Sequence, residues 1–176
     1  MVSVGVVLVV FLPMLVEWRR SMVNERALRQ RGGVEARDDV YGLMALAYPG
    51  GFLAMIVEGY VRGTSLQSPW LPAGVLLFIA GKVLKYWAIA ALGPFWSFRV
   101  IVVPGAPRVV SGPYRWLNHP NYIGIIGELL GVALMTLAWI TGPIAIVAFA
   151  LLLWRRMAIE NAALEQLSPG AILRRG

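Results

Sequence analysis

Long apolar runs are the feature that most limits what this chain can fold into. From Tyr122 to Trp154 the sequence carries a single charged residue, Glu128. A helix needs only about 20 apolar residues to cross a bilayer, so this stretch is too long for one span. The triplet Thr141-Gly142-Pro143 lies inside it and predicts a tight hairpin of two helices. We therefore expect two membrane spans here, over 122–140 and 143–157.

Three further apolar runs precede this hairpin and predict three more spans, over 1–16, 41–57 and 70–92. The first run lacks the basic flank and the cleavage site of a secretory signal, so we interpret it as a retained span. Pro49-Gly50-Gly51 interrupts the second run, a break that membrane helices tolerate when neighbouring groups satisfy the backbone. With 59% hydrophobic residues in 176, a soluble fold could not bury its apolar surface. The sequence thus predicts one all-α domain, a polytopic membrane bundle of about five transmembrane helices.

The basic residues lie in three segments that a five-span topology places on one side of the membrane. Segment 17–40 holds six arginines, and segments 93–121 and 155–176 hold three and four. Positive residues favour the cytoplasmic side, which predicts a membrane protein with its N-terminus outside and its C-terminus in the cytoplasm. Segment 17–40 alternates apolar and charged residues at roughly helical spacing. This pattern is typical both of an amphipathic helix at the membrane surface and of a solvated loop helix, and the sequence leaves both interpretations open.

Charge and composition also exclude several classes of function. The net charge of +7 lies at the ends of apolar runs, which suits membrane lipid headgroups, and no groove-reading motif of a nucleic-acid-binding protein is present. The sequence has no cysteine and one histidine. Thiolate nucleophiles, disulfides and sites built from several Cys or His ligands are therefore excluded. We expect no metal ion and no nucleic-acid partner.

A polar loop rich in glycine and proline, residues 111–119, leads directly into the apolar helix that follows. Pro120 suits the first turn of a helix, which leaves free N–H groups beside His119, Asn121 and Tyr122. The positive end of the helix dipole favours a ligand carboxylate or hydroxyl at this point. The loop and the helix start are therefore a candidate binding site.

The helix after Pro120 carries one stripe of residues at helical spacing: Asn121, Gly124, Glu128, Gly131 and Met135. Small residues on such a stripe allow close helix packing or leave room for a ligand. A carboxylate inside a membrane span is costly and usually functional, which makes Glu128 a candidate site residue. The structural alternative is that Glu128 pairs with Lys82 or Lys85 of the preceding span.

Arg156 and Glu160 follow the last apolar run and are four residues apart, so they share one helix face. Taken alone, they are most simply interpreted as a surface ion pair beside a positively charged membrane anchor.

Taken together, these patterns resemble one enzyme family. Over about residues 93–165 the chain resembles the isoprenylcysteine carboxyl methyltransferases and, more distantly, the phospholipid N-methyltransferases. The motifs that carry the resemblance are Gly112-Pro113-Tyr114-Arg115, His119-Pro120-x-Tyr122-x-Gly124, a helical hairpin, and Arg156-x-x-x-Glu160 with Leu164. A bacterial branch of the family resembles the first loop as well, in Asn24-Glu25-x-x-Leu28-x-x-x-Gly32-x-x-Glu35 and Tyr41. That branch is associated with type III polyketide synthases and with methylation of long-chain alkylpyrones or phenolic lipids.

The resemblance implies S-adenosylmethionine as cofactor and a lipophilic small molecule as methyl acceptor. It places the cofactor between segments 93–121 and 155–176, with His119, Pro120, Asn121, Tyr122, Gly124, Glu128, Arg156, Glu160 and Asn161 as binding residues. Arg156, Glu160 and Arg115 are the catalytic candidates that it implies, and Arg99 is a further candidate for holding an acceptor oxyanion. Many family members have a second glutamate where this chain has Asn161, which forms hydrogen bonds but supplies no charge.

Two alternatives stay open at this level. The acceptor could instead be an isoprenylcysteine carboxylate, a phospholipid amine or a small thiol. A protein of another class, a non-catalytic membrane partner or a small transporter, would use Glu128, Lys82 and Lys85 as a polar pathway. The oligomeric state cannot be read from the sequence, although Gly127-x-x-x-Gly131 allows close helix contact within or between chains.

Overall fold

The computed structural model describes residues 2–37 and 39–167, and within them the chain forms a bundle of five α-helices. They are α1 Val2–Gln30, α2 Tyr41–Val61, α3 Leu71–Leu92, α4 Pro120–Thr136 and α5 Thr141–Leu167. Two short antiparallel strands pair Val34 with Val102 and Glu35 with Ile101, namely β1 Val34–Glu35 and β2 Ile101–Val102. Short 3-10 helices cover Gly93–Phe95 and Gly112–Arg115. Residues 168–176 of the predicted cytoplasmic tail lie outside the described residues.

Three of the described helices are long and apolar enough to cross a membrane: Tyr41–Val61, Leu71–Phe95 and Thr141–Leu167. Helix α4 is apolar but shorter, with 17 residues. Helix α1 has 29 residues and carries charged side chains along its second half. The prediction of a helical membrane protein is confirmed, and the described helices match the predicted number. That α1 and α4 also cross the membrane stays a prediction.

Helix α1 corrects the predicted break after residue 16. The sequence predicted a span over 1–16 and a separate interfacial element over 17–40, whereas one helix continues to Gln30. Its polar second half packs on protein, because Ser21 accepts a hydrogen bond from the Phe98 N–H at 2.7 Å and Asn24 donates to the Trp96 carbonyl at 2.7 Å. Polar side chains that find partners inside the bundle let the helix continue where its hydropathy falls.

The remaining helix ends shift from their predicted positions. Helix α2 continues through Pro49 to Val61 rather than ending at residue 57, and α5 extends to Leu167 rather than residue 157. The predicted hairpin of α4 and α5 is present, but its turn comes just before Thr141. There the Glu58 carboxylate of α2 accepts the Thr141 N–H at 2.7 Å, which satisfies a free donor at the start of α5.

The closest helix contact lies between α3 and α4, where glycines face each other. A Cβ atom on Gly124 would lie 2.7 Å from the Gly81 carbonyl oxygen, and one on Gly131 would lie 2.6 Å from the Phe78 nitrogen. Any larger residue would therefore force these two backbones apart. Of the two interpretations of the small-residue stripe, close packing within the chain is the one that the structure shows.

One end of the bundle gathers the three basic segments. The β1–β2 pair joins the first segment to the second, and the Gly105 N–H donates to the Leu167 carbonyl at 3.2 Å, which joins the second segment to the end of α5. At the opposite end, Arg62 pairs with Glu58 at 2.8 Å. The separation of basic segments that the sequence predicted is present in the fold, and its orientation in the membrane stays a prediction.

Candidate active site

A cavity of about 510 Å³ extends from the basic end of the bundle into its interior. Its inner wall is largely apolar and includes Phe11 of α1, Met44 of α2 and Phe149 of α5. Cavities of roughly 300–1,000 Å³ with few polar groups commonly hold small-molecule ligands. The predicted site residues that line this cavity are His119, Asn121, Tyr122, Arg156 and Glu160.

A hydrogen-bonded chain joins the start of α4 to the second half of α5. The Tyr122 hydroxyl donates to the Glu160 carboxylate at 2.6 Å and accepts a hydrogen bond from the Arg156 Nε at 3.0 Å. The Arg156 side chain is 7% exposed, so it is not half of a surface ion pair with Glu160. The two helix ends that the family resemblance brings together therefore meet in the fold, through Tyr122.

His119 lies flat against Tyr122, with 5.3 Å between ring centroids and 9° between ring planes. Its Nδ1 is 3.9 Å from the Glu160 carboxylate. Burial is the largest influence on the pKa of His119 and lowers it; Glu160 raises it and Arg108 lowers it, and the net shift is downward. The imidazole is therefore neutral near neutral pH and offers one donor and one acceptor nitrogen.

Asn121 lies on the first turn of α4 and lines the cavity. Its buried side-chain oxygen has no hydrogen-bond partner within the described part of the chain. Because buried polar atoms are almost always paired in proteins, an unpaired one at a cavity wall indicates a place for a bound polar group. Asn121 is thus a candidate contact for a ligand donor such as a hydroxyl or an ammonium.

Asp39 completes this group, although sequence analysis did not identify it. Its Oδ1 lies 3.0 Å from an Arg156 terminal nitrogen and accepts the Tyr41 N–H at 3.1 Å, and its Oδ2 accepts the Val100 N–H at 2.9 Å. A signal was available, because Asp before a helix often bonds the backbone two residues on. Its contact with Arg156, 117 positions away, had no such signal. We call these four residues the site network: Asp39, Tyr122, Arg156 and Glu160.

The first-loop pattern that resembles the bacterial branch has a structural role beside the cavity. Asn24 donates to the Trp96 carbonyl, Glu35 pairs with Arg99 at 2.6 Å, and the Tyr41 ring lies 4.8 Å from the Arg99 guanidinium. These contacts hold the segment around Arg99 against the cavity. Arg99 itself lines the cavity, but its guanidinium is already engaged by Glu35, which weakens its candidacy for an acceptor oxyanion.

Two predicted site residues point away from the cavity. Arg115 ends a 3-10 helix that turns its side chain outward, where the guanidinium lies 5.6 Å from the Trp116 ring centroid. Asn161 is exposed, because one step along a helix turns the side chain about 100° from that of Glu160. The structure thus places both residues outside the cavity, and the catalytic role of Arg115 and cofactor binding by Asn161 stay predictions.

Two others lie behind the cavity wall. Pro120 is buried in the first turn of α4, the position that its ring geometry predicted. Gly124 packs against Gly81 of α3 and has no side chain to present to a ligand. Both residues shape the helix start and its packing, and neither lines the cavity.

Glu128 belongs to a second cluster, which we call the charge quartet: Glu17, Lys82, Lys85 and Glu128. Each lysine ammonium lies 2.8–3.2 Å from one oxygen of each glutamate, and the Tyr48 hydroxyl donates to Glu128 at 2.8 Å. Glu128 is 1% exposed and does not line the cavity, although Glu17 and Lys85 reach its inner wall. The structure thus shows the pairing that was the structural alternative, and it does not support Glu128 as a cofactor ligand.

Comparison with known proteins identifies relatives of this chain. The family model for the isoprenylcysteine carboxyl methyltransferase (ICMT) family matches residues 74–166, more than half of the chain. The uncharacterized protein YpbQ of Bacillus subtilis is 33% identical over 146 residues, which cover 82% of this chain and 86% of YpbQ.

Relatives with a named activity match a smaller part of their own length. The protein-S-isoprenylcysteine O-methyltransferase of Rattus norvegicus is 33% identical over 51% of this chain, and that of Xenopus laevis is 26% identical over 77% of it. The matches cover 31% and 46% of those two proteins. No solved structure matches the chain significantly.

Proposed function

Because the chain belongs to the isoprenylcysteine carboxyl methyltransferase family, we propose that it transfers a methyl group from S-adenosylmethionine to a lipophilic acceptor in the membrane. The observation that supports this most directly is the site network, which places the partly exposed Glu160 carboxylate at the wall of a largely apolar cavity. A cationic donor and an apolar acceptor suit the two parts of such a cavity.

The charges of the site fit a sulfonium donor. Asp39 and Glu160 contribute two negative charges, Arg156 contributes one positive charge, and His119 is neutral because its pKa is lowered. The site network therefore carries one net negative charge, which favours a cation beside Glu160, while Arg108 supplies a positive charge to the same cavity near His119. The unpaired oxygen of Asn121 adds an acceptor for a donor hydroxyl or ammonium group.

S-adenosylmethionine, when bound, supplies a methyl group on a positively charged sulfur that a nucleophile can attack. In this chain Glu160 would accept hydrogen bonds from the polar groups of the cofactor, while Tyr122 and Arg156 hold that carboxylate in place. His119 would offer either a donor or an acceptor, and the stacked His119 and Tyr122 rings present aromatic surface to a cation. Alignment of the two reactants in a site with little water would provide much of the rate acceleration.

The apolar inner wall of the cavity suits an alkyl or prenyl chain. We propose a polyketide lipid, such as an alkylpyrone or a phenolic lipid, as the acceptor, with one of its oxygens receiving the methyl group. The second candidate is the carboxylate of an isoprenylcysteine, which the names of the eukaryotic relatives favour. A carboxylate or an acidic enol is ionised near neutral pH, so its methylation needs no catalytic base from the protein.

The acceptor oxyanion needs a cation that is not already paired. Arg108 lines the cavity near His119, and in the described part of the chain no carboxylate forms a salt bridge with it. Arg99 and Arg156, by contrast, are each engaged by an acidic side chain. We therefore favour Arg108 for this role. We also place the site at the cytoplasmic face of a bacterial inner membrane, since the basic segments gather at this end of the fold.

The test is binding and transfer with the purified protein in detergent. Calorimetry with S-adenosylmethionine should detect binding, and the labelled donor should transfer its methyl group to one member of a panel of alkylpyrone, alkylresorcinol, farnesylcysteine and phosphatidylethanolamine. The member that accepts the label identifies the acceptor class and shows whether O- or N-methylation occurs. Absence of donor binding would refute the proposal.

A further inference from the structure

We infer that Asp39 is a positioning residue for methyl transfer, because it fixes the Arg156 guanidinium in the orientation that holds Tyr122 and Glu160 at the cavity. This inference rests on the proposed function, since it assigns a residue to that same site. Asp39 lies in the loop between β1 and α2. That loop precedes residue 74, so it lies outside the segment that the family model matches.

The contacts of Arg156 run in series from the loop to the cavity. One terminal nitrogen meets the Asp39 carboxylate at 3.0 Å, and the Nε donates to the Tyr122 hydroxyl at 3.0 Å. The Tyr122 hydroxyl in turn donates to Glu160 at 2.6 Å. A guanidinium is planar and rigid, so holding one of its nitrogens also sets the direction of the others. The orientation of the cavity carboxylate therefore depends on Asp39.

Burial makes the loss of the Asp39–Arg156 ion pair costly. The side chains of Asp39 and Arg156 are 6% and 7% exposed, so removing one charge leaves the other buried without a counterion. Arg156 and Glu160 line the cavity, whereas Asp39 lies behind Arg156 and does not. Asp39 thus acts on the site through Arg156 rather than by touching a ligand.

A simpler role for Asp39 would be to anchor the loop. Its carboxylate accepts the Tyr41 N–H at the start of α2 and the Val100 N–H, and the second bond ties the loop to the segment before β2. Glu35 ties the same two segments together through Arg99, without any contact to Arg156. Glu35 therefore provides a matched control, a carboxylate in β1, four residues before Asp39, that lies outside the site network.

The experiment compares D39N, E35Q, R156Q and the double variant D39N/R156Q in donor affinity, kcat and KM for the acceptor. Asparagine keeps the shape of Asp39 and removes the charge, but its single carbonyl oxygen can accept only one of the two N–H bonds, from Tyr41 or from Val100. We expect D39N to lower donor affinity roughly tenfold, as coupled members of one network do. E35Q breaks two partly exposed pairs, with Arg29 and Arg99, and should change donor affinity by less than about threefold.

The double variant separates the two roles. If Asp39 acts through Arg156, adding D39N to R156Q causes no further loss of donor affinity. A D39N penalty of equal size in the wild-type and R156Q backgrounds would indicate loop anchoring and overturn the inference. Unchanged affinity in D39N would also overturn it while the proposed function stands, whereas a wild-type protein that does not bind the donor refutes the proposed function itself.

A second variant keeps the inference testable if D39N does not fold. R156K retains a positive charge beside Asp39 but lacks the rigid fork that connects Asp39 to Tyr122. We expect R156K to lose donor affinity roughly tenfold, close to the loss in R156Q. Wild-type affinity in R156K would show that the charge alone suffices and would overturn the positioning role.

Discussion

The charge quartet and the site network are two groups of buried charges in one helical bundle, and they differ in how completely they are paired. In the charge quartet two lysines face two glutamates, and every ammonium contacts both carboxylates. In the site network one arginine faces two carboxylates, and the Glu160 side chain is 32% exposed beside the cavity. The charge quartet is neutral and all its charges are paired within it, whereas the site network carries a net negative charge and places Glu160 at the cavity wall.

This difference separates a structural cluster from a ligand site. Isolated charges are very costly inside a membrane protein, so a carboxylate there needs a partner from the protein or from a ligand. Glu128 finds its partners on α3, and the charge quartet thereby joins helices α1, α3 and α4. Within the described residues, Glu160 accepts a hydrogen bond from Tyr122 and lies 3.9 Å from the neutral His119, and it has no lysine or arginine salt bridge. A carboxylate in a span is therefore informative about function only once its partners are known.

The largest effect that we expect comes from opening the charge quartet. Glu128→Gln leaves two lysines facing one carboxylate, and breaking a buried pair in this way costs about 3–5 kcal/mol of unfolding free energy. Denaturant unfolding in detergent micelles would measure it. The control E35Q breaks two partly exposed pairs, with Arg29 and Arg99, and each should cost at most about 1 kcal/mol. If Glu128→Gln instead kept its stability and lost donor binding, the charge quartet would belong to the site.

The site network should show the reverse pattern. Glu160→Gln removes the charge that favours a cationic donor, and a hydrogen bond to a charged group contributes about 1.5–3 kcal/mol, or roughly tenfold or more in affinity. Its stability should stay close to that of the wild type. Calorimetric titration with S-adenosylmethionine measures the loss, with the exposed neighbour variant Asn161→Ala as control. Equal affinities in the two variants would contradict our assignment of Glu160.

A smaller effect is expected from pH. Because the pKa of His119 is lowered, the imidazole is still mostly neutral at about pH 6.5, the pKa of an unperturbed histidine, and gains a proton only at lower pH. A positive charge there would repel a cationic donor, so affinity should be flat above about pH 6.5 and fall below it. Titrations across this range would show the fall in the wild type and a shallower one in His119→Gln. Identical profiles would rule out His119 as the titrating group.

The smallest effect is expected from Arg115→Ala. Arg115 is exposed, contacts the Trp116 ring and lies outside the cavity, so its removal should change neither donor affinity nor kcat beyond experimental error. Steady-state methyl transfer measures both quantities. A marked loss of kcat would show that the segment containing Arg115 moves to the cavity during turnover. Arg115 would then be a functional residue that belongs to neither the charge quartet nor the site network.

Some features of the site could be predicted because they are local. The turn at His119–Tyr122 depends on a proline at the start of a helix, and the shared face of Arg156 and Glu160 depends on a spacing of four residues. That Arg115 and Asn161 lie outside the cavity could not be predicted, because a motif does not report the direction in which each side chain points. That direction depends on how the segment is rotated against its neighbours.

The sequence by itself determined that this protein is a helical membrane bundle with its basic segments at one end. Hydropathy and charge are properties of single residues summed along short windows, so no knowledge of contacts is needed to read them. Only the tertiary structure decided which charges meet, because Asp39 and Arg156 are 117 positions apart and Glu17 and Lys85 are 68 apart. Such pairs depend on the rotation and close packing of whole helices, which facing glycines on α3 and α4 permit.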